Sequence, residues 1–104
     1  MSSPLERSEG VVVADRKSRL EEPPLYKVLL HNDDYTTMDF VVMVLEMVFH
    51  KDRTEATRVM MNVHHRGVGV AGIFTRDVAD TKVAIVHELA ISNEFPLKCS
   101  LEKA

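Results

Sequence analysis

Residues 25–40 read LYKVLLHNDDYTTMDF, and the chain changes character twice within them. From Leu25 the run is apolar and short, as a strand is, and it loses its pairing at Asn32-Asp33-Asp34, whose short polar side chains bond their own backbone in turns. Thr36 then stands three residues before Asp39, the spacing of a capping box, so its hydroxyl is expected to accept from a free amide at the start of a helix. Strand, acidic turn and helix start therefore follow one another directly.

Outward from there the helix continues as MDFVVMVLEMVFH, residues 38–50. Val41, Val44, Leu45, Val48 and Phe49 keep the helical rhythm, and Met38, Val42, Met43 and Met47 widen the stripe almost to the full circumference, so this helix is heavily buried or lines something. Asp52 and Glu55 repeat the cap spacing, and the next helix runs to Gly67, a left-handed stop. Its buried stripe is Ala56, Val59, Met60 and Val63, and the next member of that series is His64, which is expected to point to the core side while His65 turns away. GVGVAGIFT, residues 67–75, reads as a Gly-punctuated second strand. Thr75 is placed to cap a third helix, with Ala79, Val83, Val86 and Ala90 on one face. Pro96 ends it, and Leu97, Cys99 and Leu101 then alternate with Lys98, Ser100 and Glu102 as a half-buried strand does.

The order is β-α-α-β-α-β: an α+β fold, with a small antiparallel three-stranded sheet covered on one face by three helices. Residues 1–24, charged and closed by Pro23-Pro24, read as a flexible N-terminal extension, and residues 25–104 as the folded domain.

The 104 residues, 45% hydrophobic and 28% charged, fit one globular domain. A formal net charge of −3 without a basic stripe argues against nucleic acid, because neutralising phosphates needs clustered Lys and Arg. No apolar run approaches the ~20 residues of a membrane span, and no export signal is visible. One cysteine, Cys99, excludes an internal disulfide and fits a reducing compartment, so a cytoplasmic location is expected.

Catalysis finds little support in the residues. Asp33 and Asp34 are adjacent on an extended chain and point apart, Cys99 sits between Leu97 and Leu101 as a small core residue does, and no nucleophile elbow or phosphate-cradling loop is present. His64 and His65 are neighbours about 100° apart on a helix, not a metal-binding pair. Neither a cofactor nor a metal is expected.

Recognition is the remaining reading. Asn32, Asp33 and Asp34 supply acceptors at a strand end, Met38, Val41, Met60 and Val63 supply apolar walls, and His64 shares the wall of the latter pair. Such a pocket suits a ligand that is hydrocarbon at one end and a protonated amine at the other, because a buried ammonium needs several acceptors to replace its water. The same residues also serve ordinary turn, cap and core chemistry, and pattern alone leans to that plainer reading.

These residues, in this order, resemble the ClpS family of bacterial N-end-rule adaptors, through LYKVLLHNDDYT, MDFV, EATRVMMNVHHRGVGVAGIFT, VADTKVAIV and FPLKCSLEKA. The resemblance covers residues 25–104. It implies a non-enzymatic adaptor that binds N-degron proteins beginning with Phe, Tyr, Trp or Leu and hands them to a hexameric Clp unfoldase for degradation. By position, Asn32, Asp33, Asp34 and His64 would surround the substrate's α-amino group. Thr36, Met38, Val41, Met60, Val63 and Leu97 would shape the side-chain pocket, with Met38 as the gatekeeper against β-branched first residues. Asp77 and Lys82, with Tyr35, would meet the N-terminal domain of a ClpA-like AAA+ unfoldase, and residues 1–24 would assist delivery. Thr37 replaces a common proline, Asp77 is shorter than the usual Glu, and Ala71 replaces a common cysteine. The rival reading is a non-catalytic structural interaction domain of ribosomal-stalk-like fold, in which Asn32 to Asp34 only cap a helix.

Overall fold

The structure, a computed structural model, describes residues 22–104. The extension expected over residues 1–24 falls outside them except for Glu22, Pro23 and Pro24, which are exposed. The described chain runs β1 (Leu25–His31), α1 (Met38–Met47), α2 (Arg53–Arg66), β2 (Val68–Thr75), α3 (Arg76–Ser92) and β3 (Lys98–Lys103). This is the β-α-α-β-α-β order read from the pattern. β1 lies in the middle of a three-stranded sheet and is antiparallel to both β2 and β3.

Alternation along the strands divides the sheet into two faces. Val28, Leu30, Ala71 and Cys99 are buried under the helices, where they meet Val44 and Leu45 of α1, Ala56 and Val59 of α2 and Val86 of α3 in one core. Leu25, Val70 and Ile73 on the other face are exposed. The pairing slips once, since Val28 faces Gly72 while Leu29 faces Val70. Ala71 is the extra residue of a β-bulge, which raises the local twist.

Gly69 explains how closely α2 approaches β2. A Cβ there would lie 2.7 Å from Val63 Cγ2 and 3.3 Å from the Val59 carbonyl oxygen. The missing side chain is what lets the helix rest on the strand.

The caps refine the boundaries. Thr37, not Thr36, is the N-cap of α1, its hydroxyl accepting from the Phe40 amide at 3.1 Å. Thr36 is engaged elsewhere, as described below. α1 closes at Met47 rather than at His50, and His50 itself is left-handed with φ 57°. Asp52 caps α2 as its spacing indicated, accepting from the Glu55 amide at 2.8 Å, and Gly67 ends it at φ 90°. Thr75 precedes α3 without a capping bond, because β2 runs straight into the helix; Asn93 Nδ2 closes the far end on the Leu89 carbonyl at 2.8 Å.

One side chain ties α3 to the end of α1. Lys82 Nζ donates to the Val48 carbonyl at 2.6 Å and lies 5.9 and 5.6 Å from the Phe49 and Phe74 ring centres. The cation thus satisfies one of the carbonyls a helix end leaves free, over two aromatic faces. Lys82→Met keeps the stem and removes the charge. It is expected to cost about 1–2 kcal/mol, lowering Tm by roughly 5–15 °C in a thermal melt followed by circular dichroism.

Among the described residues no helix is long and apolar enough to cross a membrane.

A candidate recognition site where β1, α1 and α2 meet

The end of β1 is fixed to the end of α2 by one backbone bond, from the Asn32 amide to the Gly67 carbonyl, at 2.9 Å. Because His64 lies in the last turn of that helix, the bond brings Asn32 and His64 to the same mouth. The turn that follows is organised by Asp33. Its Oδ1 accepts from the amides of Tyr35 and Thr36 at 2.8 and 2.7 Å, and its Oδ2 accepts from the Thr36 hydroxyl at 2.7 Å. Burial alone would raise the Asp33 carboxyl. The bonds from the Thr36 hydroxyl, the Thr36 amide and the Tyr35 amide outweigh it and hold the group below its usual value.

Between this turn and the two helices lies a cavity of about 250 Å³, lined by Asn32, Asp33, Asp34, Thr36, Met38, Val41, Met60, Val63 and His64. Val41, Met60 and Val63 are buried and make an apolar floor. Asn32, Asp34 and His64 are exposed at the rim, with Met38, 43% exposed, as a hydrophobic lip. The volume lies just below the ~300–1,000 Å³ of drug-sized pockets, a size for one amino-acid side chain. Acceptors thus stand at the rim and apolar side chains at the floor.

His64 departs from its expected orientation, and Leu97 lies apart from the cavity's lining. His64 does not face the core: the last turn of α2 passes beyond the buried layer, so the stripe of Ala56, Val59, Met60 and Val63 ends one residue earlier, and the imidazole stands at the rim beside His65, ring centres 5.1 Å apart. Leu97 is not among the lining residues. It sits just before β3, 4% exposed, and packs into the core cluster instead.

Cys99 is no nucleophile, since burial pushes its thiol up to about 12. Among the described residues no group of three or more His, Cys, Asp or Glu is gathered closely enough to hold a metal ion.

A second, shallower depression of about 350 Å³ runs along α3, lined by Asp77, Val78, Thr81, Lys82 and Ile85. Asp77 and Lys82, the two residues that the resemblance assigns to an unfoldase contact, both line it. Val78 and Ile85, both exposed, were missed in the sequence. The signal was there: they repeat at seven residues, one position before the buried Ala79 and Val86, so they form a second apolar stripe about 100° round the helix. Tyr35, 76% exposed, lines neither depression.

Comparison with known proteins places the chain in one family. A family model described as "ATP-dependent Clp protease adaptor protein ClpS" matches residues 21–100. The ATP-dependent Clp protease adapter protein ClpS of Desulfatibacillum aliphaticivorans is 58% identical over 93 residues, 89% of each chain. That of Desulfotalea psychrophila is 52% identical over 103 residues, 99% of each. Among solved structures, Agrobacterium tumefaciens ClpS2 bound to L-phenylalaninamide superposes with a TM-score of 0.77 at 41% identity, covering 80% of this chain and 100% of that one. With a model matched over most of its length and relatives above half identity, this chain belongs to the ClpS family of ATP-dependent Clp protease adaptor proteins.

Proposed function

We propose that this adaptor captures proteins by a free α-amino group and a bulky hydrophobic first residue, Phe, Tyr, Trp or Leu, and delivers them to a Clp unfoldase for degradation. The observation that carries the reading is the cavity itself, open and apolar at its floor, with acceptors confined to its rim. An α-ammonium held there loses water and regains partners from the Asn32 to Asp34 turn and from His64, whose neutral ring offers one acceptor nitrogen. Phenylalaninamide, the ligand named for the Agrobacterium relative, pairs an α-amine with a phenyl side chain, the two chemistries that this cavity separates. A turn that served only to cap a helix has no need of an open apolar cavity behind it, so the structural-module reading is not favoured.

Selection at the first residue follows from Met38. An unbranched or planar side chain passes the lip, whereas Val or Ile carries an extra branch at Cβ, where the lip is nearest. Delivery is assigned to α3, where Val78 and Ile85 offer apolar area and Asp77 and Lys82 offer charge to the N-terminal domain of a ClpA-like hexameric unfoldase. Lys82 already donates one N–H to the Val48 carbonyl, so it meets a partner with its remaining donors. Tyr35 stands free to add a contact.

The test is a fluorescent peptide panel read by anisotropy. Peptides beginning with Phe or Leu are expected to bind, and the same sequence acetylated or beginning with Val to bind at least about tenfold more weakly, since blocking the amine leaves acceptors unpaired at about 1–3 kcal/mol. Equal binding of all four peptides defeats the reading.

A further inference from the structure

We infer that the free edge of β2, with the flank of α2 beside it, is a second docking site, which takes an extended peptide of alternating acidic and apolar residues as a fourth strand. Between the two elements lies a depression of about 290 Å³, lined by Arg58, Val59, Asn62, Arg66 and residues 68–70. It shares no lining residue with the recognition cavity.

β2 is an outer strand, since the sheet runs β2-β1-β3. Opposed residues of an antiparallel pair alternate between those that exchange backbone hydrogen bonds and those that do not. The Asn32 amide donates to the Gly67 carbonyl, so in the same register Leu30 and Gly69 bond each other, whereas His31 and Val68, and Leu29 and Val70, do not. On the other side of β1 the Ala104 amide donates to the Leu25 carbonyl, which turns the odd residues of β1 to β3 and fixes the same phase. The amides and carbonyls of Val68 and Val70 therefore point off the sheet, and among the described residues no further strand pairs with them. The bulge at Ala71 ends this regular stretch.

The surroundings name the occupant. Arg58, Asn62 and Arg66 recur every four residues, so they stand in one row along α2, about 12 Å from first to last. Four steps of an extended chain cover about the same length. Both arginines are exposed; Arg58 is paired with Glu55, while Arg66 has no carboxylate partner among the described residues. Side chains of an added strand alternate between the two faces of the sheet. Those on the helix face meet this basic row, and those on the other face lie beside the exposed Val68 and Val70. Carboxylates suit the first set and β-branched groups the second. In strand addition of this kind the backbone bonds give affinity and the alternate side chains give specificity.

The test uses the full chain at low ionic strength and two probes, acetyl-VEVEVEV-amide and acetyl-VKVKVKV-amide, whose blocked ends deny the recognition cavity an α-amine. In the free chain the Val68 and Val70 amides are expected to exchange rapidly with solvent deuterium. The acidic probe is expected to bind saturably and to slow both amides by about tenfold or more, and the basic probe to bind about fivefold or more weakly. Arg58→Glu combined with Arg66→Glu is expected to weaken the acidic probe by about fivefold or more and to leave capture of a Phe-initiated peptide within about twofold. Val70→Pro removes an outward N–H without touching the β1 ladder, and is expected to weaken the acidic probe similarly. Should it fail to fold, the double arginine variant decides alone.

Equal binding of the two probes, binding of neither, or displacement of the acidic probe by a Phe-initiated peptide overturns the inference. Slow exchange of the two amides in the free chain overturns it too, because the edge is then already covered. Protection lost on dilution would assign the edge to a second copy of the chain, and protection lost on Val12→Pro to residues 11–13.

Discussion

Asp34→Ala is expected to weaken capture of a Phe-initiated peptide by about 10–150-fold, the equivalent of the ~1.5–3 kcal/mol that a hydrogen bond to a charged group contributes. The direction follows from what the substitution leaves behind. An α-ammonium brought to the rim has given up part of its hydration, and without the exposed carboxylate only the largely committed Asp33, Asn32 and the His64 nitrogen are left to replace it. Because Asp34 is exposed and its side chain bonds nothing else among the described residues, the loss belongs to binding and the melting temperature should move little. Anisotropy and a thermal melt on the same variant check both halves. Unchanged affinity with an unchanged melt would remove Asp34 from the site.

Gly69→Ala is expected to damage fold and capture together. The added methyl would sit 2.7 Å from Val63 Cγ2, and Val63 is β-branched, so its rotamer choice is narrow. Turning it away still leaves the Val59 carbonyl oxygen at 3.3 Å. α2 must therefore move off β2, at the roughly 1–3 kcal/mol typical of an overpacked core. The same helix carries Met60, Val63 and His64, three of the residues around the cavity, so a shift of a few tenths of an ångström changes floor and rim at once. The expected result is a Tm lower by about 5–20 °C and capture weakened by at least about tenfold at a temperature where the variant is fully folded. Denaturant melts and peptide titrations at low temperature check it. Full stability would mean that α2 has slack against the sheet.

The order of elements was legible because each announces itself locally. The periodicity of Val41 to Phe49 is helical, Leu97 to Glu102 alternates, and Gly67 stops a helix as only a residue at ease with positive φ does. The pocket's floor was legible for the same reason, since Val41, Met60 and Val63 lie on the buried stripes of their helices.

What escaped the sequence depends on partners far along the chain or on choices between equivalent neighbours. Thr36 and Thr37 are both hydroxyls at capping distance, and Asp33 settles which is free. His64 continued the buried series on paper, but where a helix outruns its core is set by the length of the sheet beneath it. Leu97 alternates correctly and is buried correctly, yet alternation does not say whether a buried residue touches a cavity or other side chains. Lys82 finds its carbonyl on Val48, 34 positions away. No spacing rule reaches that far.

The proposed capture requires that a cation and a hydrocarbon be recognised together by a single cavity. Calorimetric titration with L-phenylalaninamide and with 3-phenylpropanamide, which has the same ring and amide but no amine, tests it most directly. One saturable site is expected for the first ligand and binding at least about tenfold weaker for the second. Equal affinity for the two, or no binding of the first, would contradict it.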